Sequence, residues 1–292
     1  MERIKTSIAN DKTGSRKLPA VIETEEKFNK KLSILKRIFL FILKIIISAI
    51  TKILVILLMA VFFYSSYKIA RYYIEGDNNK RIQSEVQELA NIKPKNAEDS
   101  AENISDQMIN FAELKEKNMN TIAWLKVNNT DIDFPIVRTT DNEFYLDHNF
   151  YKAYNPAGWI FMDFENKLDG TDKNLVIYGH NRKDGAMFGT LKNVLNEDWY
   201  NVEENKQIEF TTEIEKAKYE VFSVYETETE NYYRTLQFGE GEFENFIGTI
   251  KSRSIKDFGT EVTGTDSILT LSTCGNTKNK RIVLHAKKIV GQ

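Results

Sequence analysis

The chain carries one cysteine, Cys274, and three histidines, so nucleophilic or acid–base chemistry has few residues to draw on. Cys274 ends the run SILTLSTC, in which Leu269 and Leu271 alternate with Thr270, Ser272 and Cys274. In a strand, that alternation sends the leucines to a core and the thiol, with small hydroxyls lining its approach, to the opposite face. Arg281 opens the next strand-like run, RIVLHAKKIV, seven residues on, and GNTKNK between them reads as a turn. If the two runs pair, the guanidinium lies beside the thiol. There it favours the thiolate and donates to a carbonyl oxygen turning negative in a tetrahedral intermediate. His180 closes NLVIYGH at a strand-to-loop edge, where an imidazole titrating near neutrality supplies or takes a proton. His148 and His285 lack such a setting. Each residue alone has a plainer reading: a small buried side chain for Cys274, a solvated strand-end charge for Arg281, a turn residue for His180. Their convergence on cysteine-based acyl transfer sets them apart.

The positioning elements read as strands. TIAWLKV, DIDFPIV, GWIFMDF, NLVIYGH, QIEFTT, KYEVFSVYE, SILTLSTC and RIVLHAKKIV are eight runs rich in β-branched and aromatic residues, separated by Gly, Asn and Asp turns. That number suits a closed barrel or a sandwich. Two helical inserts interrupt them: AMFGTLKNVL near residue 190, and FENFIGTIKSR, where Phe243, Phe246, Ile247 and Ile250 share a face. Ahead of the strands, Ile82, Val86 and Leu89 recur at helical spacing, as do Ile104, Met108, Phe111 and Leu114, with a polar connection containing Pro94 between the two groups. No internal repeat and no Gly-rich phosphate loop is present.

The 23 residues from Ile45 to Tyr67 are broken by a single charge, Lys52, and as a helix reach roughly 34 Å, enough to span a bilayer. The run is too long for the apolar part of a signal peptide, so an uncleaved anchor is expected. Residues 1–37 hold ten Lys and Arg against five Asp and Glu, which keeps the N-terminus inside despite Lys68 and Arg71 on the far flank. The expected layout is a basic cytoplasmic segment at 1–44, a span at 45–67, a short stalk at 68–80 and a catalytic domain at 81–292, with helices over 81–118 and a barrel over 121–290. The 292 residues, 41% hydrophobic and 28% charged, suffice for one such domain beside one anchor and exclude a polytopic transporter. A net charge of −2 gives no global attraction for nucleic acid. One cysteine permits no intrachain disulfide and no thiolate-rich zinc site.

Papain-like enzymes place the cysteine early, at a helix N-terminus, with histidine downstream; here the order is His180, Cys274, Arg281, and that template fails. The residues instead resemble the sortase family. TLSTC at Thr270–Cys274 matches its TLxTC signature, Arg281 opens the following strand, and His180 lies in YGHN. GWIFMDF, YGHNRKDGAMFGTL, the two preceding helices and the insert FENFIGTIKSRS are similar to class B members. The resemblance covers roughly residues 80–290.

It implies a mainly β, eight-stranded sortase barrel and a membrane-bound cysteine transpeptidase of a Gram-positive bacterium; no cofactor is expected, and no metal-binding cluster is visible in the sequence. By it, Cys274 is the nucleophile, His180 the general acid and base, and Arg281 the stabiliser of the substrate carbonyl and its oxyanion. Such enzymes cut a C-terminal sorting signal after Thr, hold the protein as a thioester and pass it to a cell-wall precursor amine; the class B signal is similar to Asn-Pro-x-Thr-Asn. The resemblance also implies substrate contacts at Asn142, Ser272, Thr273, Tyr232 and Tyr233. By strict alternation Thr273 points away from the thiol's face and contributes through its backbone. The motifs leave open a pilin-polymerising sortase, a tethered protease that only hydrolyses, and a catalytically silent tethered binding module, though the last is expected to lose one of the three residues. Some sortases bind calcium through acidic loops; ETETEN at Glu226–Asn231 is acidic, but a solvated loop is the simpler reading.

Overall fold

The computed structural model describes residues 19–90, 109–228, 231–274 and 280–289, with backbone alone at 19–22 and 274. The chain divides into two units, Met1–Lys68 and Ile69–Gln292. In the first, helix α1 (Pro19–Leu89) begins; its apolar stretch is long enough to cross a membrane and leaves Leu54, Ile56, Leu58 and Phe62 exposed. The second unit holds the end of α1, helix α2 (Phe111–Lys117) and a barrel. Residues 69–80, expected as a stalk, are helical and belong to this folded unit: Gly76 and Asn79 are buried in it. The polar string GDNNK is therefore a docking face, its Asn79 amide satisfied by backbone. Ile82 and Val86 are buried on the same helix, whereas Ile104 and Met108 lie outside the described residues.

The barrel comprises β1 (Thr121–Val127), β2 (Asp133–Val137), β3 (Phe161–Met162), β4 (Asn174–His180), β5 (Gln207–Thr211), β6 (Lys216–Glu228), β7 (Ile268–Cys274) and β8 (Lys280–Ile289). They close in the order β1-β2-β3-β4-β7-β8-β6-β5. Every run read as a strand is one, although GWIFMDF contributes only two residues. Of the helical inserts, AMFGTLKNVL forms a single 3-10 turn at Leu191–Leu195, followed by the short helix α3 (Glu197–Tyr200). FENFIGTIKSR forms α4 (Glu242–Ser252), which begins after Gly241 at φ +74° and carries Glu242 and Glu244 in its first turn and Lys251 in its last, matching the helix dipole.

Leu269 and Leu271 of β7 and Ile282, Leu284 and Ala286 of β8 face the barrel interior. On the outer side, α4 lays Phe243, Phe246, Ile247 and Ile250 over Phe222, Tyr225, Ile268 and Val283, making a second core. A bulge between Val221 and Ser223 in β6 inserts one residue against β8, so Val221 and Val224 both face the interior although three apart.

Between the cores runs a chain of polar groups whose directions are fixed. The Asn174 Nδ2 donates to the Tyr233 and Thr235 carbonyls (3.3 and 3.0 Å), leaving its Oδ1 to accept from Thr270 Oγ1 at 2.6 Å. Thr270 must then accept from His285 Nδ1 at 2.8 Å, and His285 Nε2 accepts from the Tyr225 hydroxyl at 2.9 Å. Burial pushes the His285 imidazole down to about 3. The native state thus holds it neutral while the unfolded chain protonates it below about pH 6.5. As pH falls from 6.5 towards 3, this residue alone is expected to remove up to about 1.4 kcal/mol of stability per unit. Urea unfolding of the wild type and His285→Gln between pH 7 and 4 tests this: the wild type should lose stability more steeply, and parallel slopes would contradict a neutral buried imidazole.

Candidate active site

The strands β4 and β7 run parallel, with Asn174 opposite Ile268 and, six residues on, His180 opposite Cys274. Both end at the same rim. From there β8 returns antiparallel, its paired register ending with Ser272 opposite Val283, so that Arg281, two residues before Val283, lies at the start of β8 near the end of β7. Since the strand order is β4-β7-β8, Cys274 stands on the middle strand, with His180 level with it about 4.8 Å away on one side and the start of β8, which carries Arg281, on the other. The three residues singled out from the sequence therefore converge at one rim. Arg281 is half-buried there, opposite Thr227 of β6.

His180 is held from several sides. Its Nε2 lies 2.7 Å from the Leu146 carbonyl, an acceptor only, so Nε2 carries a proton and Nδ1 is the ring nitrogen that takes up another. Gly179 packs under the Phe188 ring, where a Cβ would come within 2.7 Å of Cγ, and Phe188 donates its N–H to the His180 carbonyl at 3.0 Å. Gly158, at φ +62°, presses against the imidazole: a Cβ there would lie 2.6 and 2.8 Å from the Tyr145 and Leu146 carbonyls and 2.9 Å from His180 Cδ2. Just beyond the histidine, buried Arg182 forms a forked pair with Asp184 and stacks on the Tyr72 ring at 4.0 Å.

The expected substrate contacts fall out less uniformly. Asn142 is half-buried, and its amide is engaged at both ends: Nδ2 donates to Asp163 Oδ2 at 3.0 Å and Oδ1 accepts the Phe164 N–H at 3.0 Å. Ser272 does not line an open approach. It is only 1% exposed, beneath Tyr233, to whose hydroxyl it donates at 3.0 Å. Thr273 is equally buried and, contrary to the backbone role expected of it, uses its side-chain oxygen, which accepts the Ile282 N–H at 2.9 Å and ties β7 to β8 beside the rim. Tyr233 is buried; Tyr232 is half-buried, stacked on Tyr225, with the Arg253 guanidinium 4.1 Å over its ring. Among the described residues no group of three or more His, Cys, Asp or Glu side chains is arranged to hold a metal, and part of ETETEN lies outside them.

Sequence reasoning missed Asp163. Its Oδ2 also accepts the Tyr178 hydroxyl at 2.7 Å, and burial together with this carboxylate pushes that hydroxyl far above the ordinary phenol value. The signal was an acid inside the apolar run GWIFMDF. Leu146 was missed because a backbone carbonyl leaves no mark on residue type. Asp163→Ala strands three donors, the Asn142 amide, the Tyr178 hydroxyl and the Glu165 N–H, and is expected to lower stability by roughly 2–4 kcal/mol, read as a shifted urea midpoint at unchanged slope.

A closed barrel presenting Cys, His and Arg at one rim defines a class of cysteine acyl-transfer enzymes, and the comparisons with known proteins agree. Residues 125–289 match the Sortase domain family. Sortase B of Listeria monocytogenes is 33% identical over 244 residues, 82% of this chain and 96% of the relative. Sortase B of Staphylococcus aureus is 33% identical over 242 residues, covering 80% and 94%. The crystal structure of Bacillus anthracis sortase B superposes with a TM-score of 0.65 at 32% identity, over 75% of this chain and all of the other; that of Clostridium perfringens sortase B gives 0.58 at 37%, over 62% and 100%. The chain belongs to the sortase family and is a sortase B-type cysteine transpeptidase.

Proposed function

We propose that Cys274 is the nucleophile, His180 the general acid and base, and Arg281 the oxyanion stabiliser, in transfer of a protein bearing an Asn-Pro-x-Thr-Asn-like signal to a cell-wall precursor amine. The observation that carries this reading is the pairing of His180 with Cys274 at the ends of β4 and β7, with Arg281 at the start of the adjoining strand β8. A thiol of ordinary pKa, about 8.5, is mostly protonated at neutral pH, and a neighbouring guanidinium and imidazolium both favour its ionised form. The thiolate attacks the Thr carbonyl, and Arg281 donates to the oxygen as it gains charge. On collapse the C–N bond breaks, His180 gives its proton to the departing amine and a thioester remains. The acceptor amine then attacks, His180 takes its proton, and the thiolate leaves as the new amide forms. Asn142, Tyr232 and Tyr233 bear on the signal, and Ser272 and Thr273 support the strand that carries the nucleophile.

The basic flank of the apolar helix supports a cytoplasmic N-terminus at 1–44, a span at 45–67 and a catalytic domain outside the membrane. External protease added to right-side-out cells should digest the catalytic domain while sparing the N-terminal segment; the reverse pattern would refute this topology.

The chemistry is tested with the full chain in detergent micelles, quenched peptides bearing Asn-Pro-x-Thr-Asn or Leu-Pro-x-Thr-Gly cores, and an added amine. Cleavage after Thr should vanish in Cys274→Ala and give amide product when amine is present. Arg281→Ala should lower kcat on the order of 10²-fold or more, and Arg281→Lys should not restore it, because an ammonium lacks the planar fork. Cleavage that never yields amide would identify a hydrolase instead, and well-folded protein that cuts neither core would sink the assigned signal.

A further inference from the structure

The end of α1 reaches the segment beside His180 through Asn79, next to the contact of its Tyr72 with Arg182. Asn79 is fully buried, and its Nδ2 donates to the Gly158 carbonyl at 2.7 Å. Its Oδ1 accepts from Asn155 Nδ2 at 2.7 Å, and that same Nδ2 donates to the Glu75 carbonyl at 3.3 Å, so the two amides lock helix and loop together. The loop is zipped in turn to the histidine's neighbours. Asn155 donates its N–H to the Asp147 carbonyl at 2.8 Å, Gly158 donates to the Asn155 carbonyl at 2.8 Å, and Trp159 donates to the Tyr145 carbonyl at 2.9 Å. Gly158 is thereby seated where no side chain fits, against the imidazole and against the Leu146 carbonyl that holds its Nε2.

We propose that Asn79 is a positioning residue for His180: through Gly158 it fixes the wall that includes the Leu146 carbonyl, and so holds the histidine as the Nε2–H tautomer with Nδ1 exchanging the proton. The side-chain bonds of Asn79 go to Gly158 and Asn155. Two buried amides with their polar atoms in use admit little other arrangement, since a shift of the loop strands a buried carbonyl or N–H. An imidazole displaced by about 1 Å costs acyl transfer on the order of 10²-fold, while peptide binding is untouched. This inference rests on the assignment of His180 as acid and base.

The test uses the full chain in detergent with Asn79→Ala, and Gln87→Ala as comparison. Gln87, on the same helix, donates to the Asp133 carbonyl at 3.1 Å, away from the histidine. Asn79→Ala should lower kcat for the Asn-Pro-x-Thr-Asn peptide roughly ten- to hundredfold at unchanged KM. It should also slow alkylation of Cys274 by iodoacetamide several-fold, whereas Gln87→Ala alters neither. The alkylation arm needs no substrate, so an incorrect signal is distinguishable from an incorrect role for Asn79. Folded Asn79→Ala with wild-type kcat and alkylation overturns the proposal. If that variant does not fold, Asn79→Ser is measured in the same way. Nitrogen chemical shifts of His180 in the wild type should report the proton on Nε2 when neutral; a proton on Nδ1 overturns the proposal whatever the variants do.

Discussion

Everything at the rim depends on the parallel pairing of β4 with β7. A parallel pair needs a long crossover, and here it runs from Asn181 to Ser267, taking in β5, β6 and α4. That detour lets residues 94 positions apart in sequence, His180 and Cys274, end level with each other. A slip of one residue would move the histidine to the opposite face. Register is secured by the alternation on both strands, with Leu269 and Leu271 committed to the interior. It is secured again by Asn174, whose amide carbonyl can meet the Thr270 hydroxyl only when the strands are aligned as they are.

Small hydroxyls along β7 must be covered and bonded like any other buried polar group. Thr270, Ser272 and Thr273 are all buried and all engaged, to Asn174 and His285, to Tyr233, and to the Ile282 N–H. The chain from Tyr225 through His285, Thr270 and Asn174 ends on the carbonyls of Tyr233 and Thr235, so the loop carrying Tyr232 and Tyr233 hangs from the same network that sets the strand register. With the α4 aromatics above it, this network is dry, and a dry network with each donor matched permits one arrangement rather than several. Loop position and strand register are therefore one structural problem.

What was legible in the sequence follows from what periodicity records. The eight strands were readable as runs of β-branched and aromatic residues between Gly, Asn and Asp turns, and α4 from a period near 3.6 imposed by its one buried face. His180 and Cys274 were readable because so few residues of their types exist, and Arg281 because the turn length constrains where the next strand begins. Ser272 was misjudged because alternation distinguishes two faces of a strand but not whether the second is bare, and α4 covers it. GDNNK was misjudged for a related reason. A polar string after an apolar run looks solvated, yet Asn79 satisfies its amide on backbone that belongs to a loop 79 residues away. Leu146 and Gly158 act through a carbonyl and through the absence of a side chain, neither of which residue type announces in advance.

The end of α1 gives the barrel a second kind of constraint. β3 contributes only two residues, so the segment from the 3-10 turn Phe144–Leu146 to Trp159 has few ladder bonds to hold it. Yet this segment supplies both the Leu146 carbonyl and the Gly158 wall against His180. Its rigidity comes from elsewhere: from Asn118 and Asn120 on the Tyr145 hydroxyl, from the Trp159 indole on the Pro135 carbonyl, and from Asn79 on Gly158. Those ties reach the segment from the turn before β1, from β2 and from α1, three directions that together leave it little freedom. A β3 extended by two residues at its start would pair along β4 as far as His180. Instead the segment before β3 turns back, braced by side-chain amides, and places the Leu146 carbonyl on His180 Nε2.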